Sequence, residues 1–374
     1  MKSTANSKEM NKFAVATGAD QLNTLIPKLK DKRIALMVNQ SAVVGKVHLV
    51  DTLLSLGVKI SKILAPEHGF RGAFGYNEEY NKDNALESGV PVINMYNPKN
   101  ASVELLDDVD VVMVDVQDVG ARFYTYTRNL HYQMEACALA GKHLILLDRP
   151  NPNGSYVDGP VLRTELYSNI GMHPVPIVHG MTLGEYAQMI NGEGWLKDGR
   201  KCSLEVIKVK NWKHSDSYHI AIRPSPNLPN DNAIGWYPST ALFEGVNVSV
   251  GRGTSNPFEF IGGPQLTGYS FQFTPVNTPG FAVSPPYQDK LCYGIDLRAV
   301  PAPAQISLTH LIRMYQAFPD KSTFFKESLF DRLAGTTALR EQIKNGLTEE
   351  QIKATWQEDL AAFKKVRSKY LLYP

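Results

Sequence analysis

The first half of the chain alternates short apolar runs with amphipathic segments. Residues 33–40 (RIALMVNQ) and the valine-rich residues 108–118 (DVDVVMVDVQD) are patterns typical of strands covered on both faces. Residues 19–30 instead carry their leucines and isoleucine at helical spacing. Strands that alternate with helices indicate a parallel, helix-covered sheet, so we predict an α/β fold with a Rossmann-like, mostly parallel sheet.

The same two patterns continue to about residue 212. Thr182 followed by Glu185 forms the capping-box pattern that begins a helix. Further strands are predicted at 59–66, 89–96, 143–150, 175–180 and 202–212, and further helices at 48–58, 128–141 and 182–196.

The regular alternation of strand and helix patterns stops at the proline-rich segment 223–230, RPSPNLPN, which we interpret as a domain joint. Beyond it, short strands such as 248–253 and 292–300 mix with helices. The last helix is expected to be strong, because Ile352, Trp356, Leu360 and Phe363 lie on one face. The predicted organisation is a disordered tail at 1–18, a Rossmann-like domain at 19–224 and a smaller α+β domain at 225–374.

Polar side chains follow five of the predicted strands, at the point where each strand ends. In open α/β sheets, ligands bind outside the carboxyl ends of the strands. Any one of these residues could equally be a helix cap or a loop anchor, but their convergence predicts a functional site. They are Asn39 and Gln40, Glu67 and His68, Asp115, Gln117 and Asp118, Asp148 and Arg149, and His179.

These residue types suit the hydrolysis of a glycoside. Glu67 follows an apolar strand and a proline, a setting that suits a general acid. Asp115 or Asp118 would supply the second carboxylate that such chemistry normally uses. Tyr124 and Tyr126 could stack on a sugar ring or could pack in the core.

Signatures of several other enzyme classes are absent from the sequence. There is no GxGxxG after the first strand, no GxxxxGK[ST] and no HExxH, and Asn247 replaces the leading glycine of a nucleophile elbow around Ser249. We therefore predict no cofactor and no metal. A metal-dependent hydrolase stays open as an alternative, with ligands drawn from Glu67, His68, Asp115, Asp118 and His179.

Composition and charge narrow the possible partners. The 374 residues include 39 basic and 37 acidic side chains, a balance that gives no reason to expect nucleic acid or an anionic membrane as partner. No apolar run approaches about 20 residues, so we predict no membrane span. The three cysteines form no CxxC or metal-binding pattern. The oligomeric state cannot be predicted.

A series of motifs in order resembles the NamZ-type peptidoglycan exo-β-N-acetylmuramidases, over nearly the whole chain from about residue 20. The resemblance implies a Rossmann-like domain, a smaller domain that closes the cleft, and an oligosaccharide substrate made of muramyl sugars. The motifs are NQSAV, LAPEHGFRG, DVQDVGARFYTY, LDRPNP, DGPVL, PIVHGMTLGEYA, RPSPNLP, EGVNVSVGRGT and FKKVRSKYLLYP.

The resemblance also implies the reaction, which is release of N-acetylmuramic acid from the non-reducing end, with Glu67 as the catalytic carboxylate. Asp115 or Asp118 would act as base or orient the sugar, and a substrate-assisted route through the N-acetyl oxygen is open. A guanidinium is expected to hold the lactyl carboxylate, since it pairs bidentately with carboxylates. The candidates are Arg71, Arg122, Arg149 and Arg252, and further substrate contacts are expected from Asn39, Gln40, His68, Gln117, Tyr124, Tyr126, His179, Glu244 and Asn247.

Two further expectations concern location and activity. Members of the family are usually exported, so we expect a periplasmic or extracellular protein whose signal peptide is absent from this chain, with a cytoplasmic location as the alternative. A non-catalytic protein that binds cell-wall sugars in the same cleft is the alternative to an enzyme.

Overall fold

The computed structural model of the protein describes residues 14–72, 75, 89–95 and 102–374. Most of the tail predicted at 1–18 lies outside these residues. The strands are β1 (Arg33–Val38), β2 (Val43–Val44), β3 (Val47–His48), β4 (Lys59–Ala65), β5 (Val92–Asn94), β6 (Val111–Asp115), β7 (His143–Leu147), β8 (Asp158–Val161), β9 (Pro176–Val178), β10 (Ser203–Ile207), β11 (Phe260–Gly263), β12 (Phe271–Phe273) and β13 (Cys292–Asp296). The helices are α1 (Leu22–Leu29), α2 (Leu49–Ser55), α3 (Tyr126–Ala140), α4 (Leu183–Gly192), α5 (Asp231–Thr240), α6 (Thr309–Ala317), α7 (Glu327–Ala334), α8 (Ala338–Lys344), α9 (Glu349–Ala354) and α10 (Gln357–Arg367).

Six strands form the main sheet in the order β10-β7-β6-β1-β4-β5, and every neighbouring pair is parallel. Counted along the chain within this sheet, the order is 3-2-1-4-5-6, which is the Rossmann order. The fold-class prediction is confirmed. The direction of winding reverses between β1 and β6, where Val38 pairs with Asp115.

The alternation of side chains along β1 explains why helices cover both faces of this sheet. Ala35 and Met37 point into one apolar cluster, whereas Ile34, Leu36 and Val38 point into the other. The second cluster is completed by leucines of α1 and α2, and the first by α3 and α4. A strand buried on both faces needs apolar residues at every position, as the sequence shows.

The second half of the chain adds a small antiparallel sheet, β11-β13-β12, together with helices α5 to α10. Most of its buried apolar side chains in the described residues belong to the core of the main sheet, and a much smaller cluster lies among its three strands. The apolar cluster that contains Met37 of the main sheet extends without a break to Trp236, Phe258, Phe330 and Leu360. Within the described part of the chain, no helix is both long and apolar enough to cross a membrane.

Three predicted elements differ from the structure. Residues 175–180 do not join the main sheet, because β9 pairs antiparallel with β8. Residues 248–253 form turns and one isolated bridge, from Ser249 to Gly262, rather than a strand. The last helix is broken between α9 and α10, where the Trp356 indole N–H turns inward and donates to Asp158 Oδ1 at 3.1 Å.

Candidate active site

Glu67 lies in a sharp turn directly after β4. Its Oε2 accepts a hydrogen bond from Thr125 Oγ1 at 2.6 Å, and Thr125 immediately precedes α3. His68 adopts a left-handed backbone with φ 73°, which is uncommon for a residue with a side chain. Gly69 follows at φ 78° and completes the reversal. The turn therefore presents a half-buried Glu67 at the carboxyl edge of the sheet.

The proline-rich segment 223–230 lies against this turn. Gln40 Nε2 donates to the carbonyl oxygens of Arg223 at 2.9 Å and Pro224 at 3.1 Å. His68 Nε2 lies within hydrogen-bond distance of Ser225 Oγ, at 3.2 Å. Gly72, at φ 67°, touches the Gln40 side chain so closely that an added Cβ would stand 2.7 Å from Gln40 Cδ. Gln40 and His68 thus connect the segment to the strand ends.

Tyr124 and Tyr126 also hold the proline-rich segment 223–230 in place. Both hydroxyls donate to the Pro224 carbonyl oxygen, at 2.9 and 3.2 Å, and Asn39 Nδ2 donates to the Tyr126 hydroxyl at 2.6 Å. The two rings meet edge to face at 4.9 Å, and burial raises the pKa of both phenols. The packing gives these rings a structural use, and neither presents an open face for stacking on a sugar.

The crevice between β1 and β6 is closed by polar groups that bond to one another. Arg149 makes a bidentate ion pair with Asp115, at 2.5 and 2.9 Å, and both side chains are buried. Burial by itself would lower the pKa of Arg149, but Asp115 raises it above its ordinary value. Gln117 Nε2 donates to the carbonyl oxygens of Asp118 and Pro150, both at 2.8 Å. Asp115, Gln117 and Arg149 are therefore occupied by protein partners.

Asp118 and His179 form a buried pair under the site. Asp118 Oδ2 accepts from Gly120 N at 2.6 Å and lies 4.0 Å from His179 Nε2. Burial raises the pKa of Asp118 to about 7, against the backbone N–H groups that lower it. Burial also lowers the pKa of His179 to about 3, helped by Arg367 and Arg122. Asp118 Oδ1 and His179 Nε2 have no hydrogen-bond partner among the described residues.

Arg71 and Arg122 differ in what they can offer a substrate. The buried Arg122 guanidinium donates to the carbonyl oxygens of Pro160, Val175 and Leu333, at 2.9, 3.0 and 2.7 Å. It is a brace between the two halves of the chain. Arg71 is half exposed, pairs with Asp51 of α2 at 3.2 Å and lies over the Phe70 ring. Arg71 therefore braces the turn while leaving part of its guanidinium exposed.

The second half of the chain contributes an ion pair between Glu244 and Arg252. Glu244 lies in a 3-10 turn, Ala241–Gly245, that continues α5, and its Oε1 accepts from Arg252 Nε at 2.9 Å. Arg252 also lies over the Phe258 ring at 5.0 Å. Asn247 instead holds loops together, since its Nδ2 donates to the Thr323 carbonyl oxygen and its own carbonyl accepts from the Tyr287 hydroxyl.

Both halves of the chain match models of one family. The model described as exo-beta-N-acetylmuramidase NamZ, N-terminal, matches residues 34–232, and its C-terminal counterpart matches residues 235–373. The chain belongs to the NamZ family.

Similar proteins agree with this assignment. Peptidoglycan beta-N-acetylmuramidase NamZ of Bacillus subtilis (strain 168) is 36% identical, over 96% of this chain and 91% of that protein. Two solved DUF1343 family proteins from Bacteroides fragilis NCTC 9343 share the fold. The first is 43% identical with a TM-score of 0.88, covering 96% of this chain and 99% of its own. The second is 26% identical with a TM-score of 0.80, covering 97% and 100%.

Three residues of this NamZ-family site were not predicted from the sequence: Thr125, Ser225 and Tyr237. Tyr237 packs edge to face against Tyr124 at 5.9 Å and Phe258 at 4.9 Å. Burial raises its pKa most, and the charges of Glu244 and Glu67 raise it further. A signal did exist, because Tyr237 and Glu244 are seven positions apart, a spacing of about two helical turns.

The other open possibility was a metal site with ligands drawn from Glu67, His68, Asp115, Asp118 and His179. Across the ranges that the structure describes, no three or more His, Cys, Asp or Glu side chains come together in a way that could hold a metal ion.

Proposed function

We propose that this protein is an exo-β-N-acetylmuramidase, a glycoside hydrolase that releases terminal N-acetylmuramic acid from the non-reducing ends of peptidoglycan fragments. Family membership over both halves of the chain supports this, as does the named activity of the Bacillus subtilis relative. The observation that carries it is the setting of Glu67, which stands half-buried at the carboxyl end of β4 and is oriented by Thr125.

Glu67 is the proton donor in this proposal. Thr125 fixes Oε2, whereas Oε1 makes no hydrogen bond to a described residue and can face the glycosidic oxygen. The proton of Glu67 passes to that oxygen as the bond to the anomeric carbon breaks. Water then adds its hydroxyl to the anomeric carbon and returns its other proton to Glu67, so the enzyme is regenerated.

The two aspartates expected to oppose Glu67 are poorly placed for that role. Asp115 is buried and bonded through both oxygens to Arg149. Asp118 is buried beside His179, and its Oδ2 is taken by Gly120 N. A substrate-assisted route, in which the N-acetyl oxygen attacks the anomeric carbon, asks less of the protein carboxylates.

The test compares hydrolysis of a chromogenic β-N-acetylmuramide with the matching β-N-acetylglucosaminide. We expect the wild type to cleave the muramide, and Glu67→Gln to lose about 10²–10⁴-fold in kcat, because the amide cannot donate the proton. Glu165→Gln, at an exposed glutamate, is the control and should keep full activity.

Four results would contradict the proposal. Cleavage of only the glucosaminide would overturn the substrate, and a Glu67→Gln variant with the wild-type rate would overturn the role of Glu67. Binding of muramyl sugars without cleavage would favour the sugar-binding alternative. Loss of activity after exhaustive chelation would favour the alternative of a metal-dependent hydrolase.

We also propose that the protein is exported and acts in cell-wall turnover. The support is its substrate, since peptidoglycan lies outside the cytoplasmic membrane. Immunodetection in fractionated cells tests this, and finding the protein only in the cytoplasm would contradict it.

A further inference from the structure

We propose that Glu244 is the second carboxylate of the active site, and that it acts opposite Glu67 across the Tyr237 side chain. This inference rests on the proposed function and names a catalytic residue for it. Glu244 takes the place of Asp115 and Asp118 as the expected second carboxylate.

The chain holds Glu244 in a fixed position. Helix α5 runs directly into the 3-10 turn Ala241–Gly245, so Tyr237 and Glu244 lie about two turns apart on one side of a continuous helical segment. The Gly245 carbonyl oxygen accepts from Lys326 N at 2.9 Å. Gly245 also packs against Phe330 of α7, where an added Cβ would stand 2.6 Å from Phe330 Cα. The backbone that carries Glu244 therefore has little room to move.

A continuous path of contacts joins Glu244 to Glu67. Arg252 bonds Glu244 at 2.9 Å and lies over the Phe258 ring at 5.0 Å. Phe258 meets Tyr237 at 4.9 Å, and Tyr237 meets Tyr124 at 5.9 Å, in both cases edge to face. The residue after Tyr124 is Thr125, which donates to Glu67. One chain of contacts through three aromatic rings thus joins the two glutamates.

The electrostatics of Tyr237 give independent support. After burial, the charges that raise its pKa are those of Glu244, Glu67 and Asp118, while Arg252 lowers it. Both glutamate carboxylates therefore act on the same phenol.

Accessibility favours Glu244 over the other carboxylates near the site. Its side chain is 26% exposed, compared with 0% for Asp115 and 5% for Asp118. Glu259 is also buried, and its oxygens accept from the amides of Asn230, Asn232 and Asn256. Of these four described carboxylates, Glu244 is the most accessible to a substrate.

The expected role of Glu244 is electrostatic. As Glu67 protonates the leaving oxygen, positive charge develops on the anomeric carbon and ring oxygen of the N-acetylmuramic acid. An anionic Glu244, fixed by Arg252, stabilises that charge, and it forms no bond and gains no proton. Water completes the reaction as described for Glu67, so the atoms and charges balance without another reactant.

The experiment uses the full chain and chromogenic β-N-acetylmuramides with good and poor leaving groups. We expect Glu244→Gln to lower kcat on the order of 10²–10³-fold with KM changed less than about threefold, because it removes charge that acts in the transition state. The Glu67→Gln defect should shrink with the better leaving group, which needs less protonation, whereas the Glu244→Gln defect should not. Glu244→Asp keeps the charge and should fall between Glu244→Gln and the wild type.

The matched control is Glu327→Gln, which removes another glutamate paired with an arginine in the same half of the chain, at 2.8 Å from Arg340. It should leave kcat within about twofold, and melting temperatures check that each variant is folded. If Glu244 served only to hold Arg252, the glutamine oxygen would still accept the Nε–H bond and kcat would stay at the wild-type level, which would overturn the proposal. Full activity of Glu244→Asp together with full activity of Glu244→Gln would do the same. A wild type without muramidase activity would refute the proposed function first, before any variant is compared.

Discussion

At the scale of single residues, the buried pair Asp118 and His179 should make the free energy of unfolding depend on pH. The folded-state pKa of Asp118, about 7, lies above its usual 3.8, so this group stabilises the fold below about pH 4 and loses that contribution as the pH rises towards 7. The folded-state pKa of His179, about 3, lies below its usual 6.5, so this group stabilises the fold above pH 6.5 and loses that contribution as the pH falls. Between about pH 4 and 6.5, a change in pH therefore alters the contributions of the two groups to the free energy of unfolding in opposite directions.

Asp118→Asn should leave the pH dependence that His179 gives to the free energy of unfolding without the opposing effect of the aspartate. The free energy of unfolding of the variant is expected to fall as the pH is lowered from 6.5 to 4, by up to ~1.4 kcal/mol per pH unit relative to the wild type. His179→Asn should show the reverse, a fall as the pH rises from 4 to 7. Urea unfolding at pH 4.5, 5.5, 6.5 and 7.5 measures both. Identical pH profiles for the wild type and both variants would show that neither group titrates in this way.

At the scale of elements, the packing of α7 against the 3-10 turn Ala241–Gly245 fixes half of the site. Glu244 itself is partly exposed, so its position depends on the backbone beneath it. That backbone is close to Phe330 because residue 245 has no side chain. The sequence signature is therefore a glycine beside the glutamate that we propose to be catalytic, and the reason for it is a close approach between two elements.

Gly245→Ala should disturb both stability and activity. The new Cβ would meet backbone atoms of Phe330, so we expect the free energy of unfolding to fall by about 1–3 kcal/mol and kcat to fall as Glu244 is displaced. Gly268→Ala is the control, because an added Cβ there meets nothing within 4 Å. Urea unfolding and the muramide assay test this, and a Gly245→Ala variant as stable and active as Gly268→Ala would contradict the packing argument.

At the scale of the whole molecule, two sheets share one interior. The largest apolar cluster runs from β1 of the main sheet to α10, and no second core of comparable size lies under the small antiparallel sheet in the described residues. Arg122 ties the halves further by bonding Pro160 and Val175 on one side and Leu333 on the other. The two halves should therefore unfold together.

Calorimetry should show one unfolding transition, and Arg122→Met should lower its midpoint without splitting it. The substitution leaves three buried carbonyl oxygens without their donor, and we expect a cost of a few kcal/mol. Arg332→Met is the control, because Arg332 is exposed and its hydrogen bonds to described residues all go to Ser328 in its own helix. It should change the free energy of unfolding by less than about 0.5 kcal/mol. Two separate transitions in the wild type would show that the halves are independent.

Much of this architecture was predictable because it depends on local pattern. The apolar runs at 33–38 and 111–115 are strands because both of their faces are buried, and the capping box of Thr182 and Glu185 begins α4 as predicted. One of the wrong predictions also has a clear physical reason. The break before α10 depends on a bond from Trp356 to Asp158, 198 positions away in the sequence, which no helical pattern can reveal.

The sequence by itself determined the fold class, the family and the position of Glu67 at the end of a strand, because hydrophobic periodicity and motif order are properties of neighbouring residues. Only the tertiary structure decided which carboxylates are accessible. Asp115 ends a strand, and Glu67 also follows one, but Arg149, 34 residues later, donates hydrogen bonds to both oxygens of Asp115. Glu244 is a candidate for the second carboxylate because folding brings its helical segment to the aromatic side chains whose contacts lead to Thr125 and Glu67. The free energy of burying a charge depends on its neighbours in space, and those are set by long-range packing.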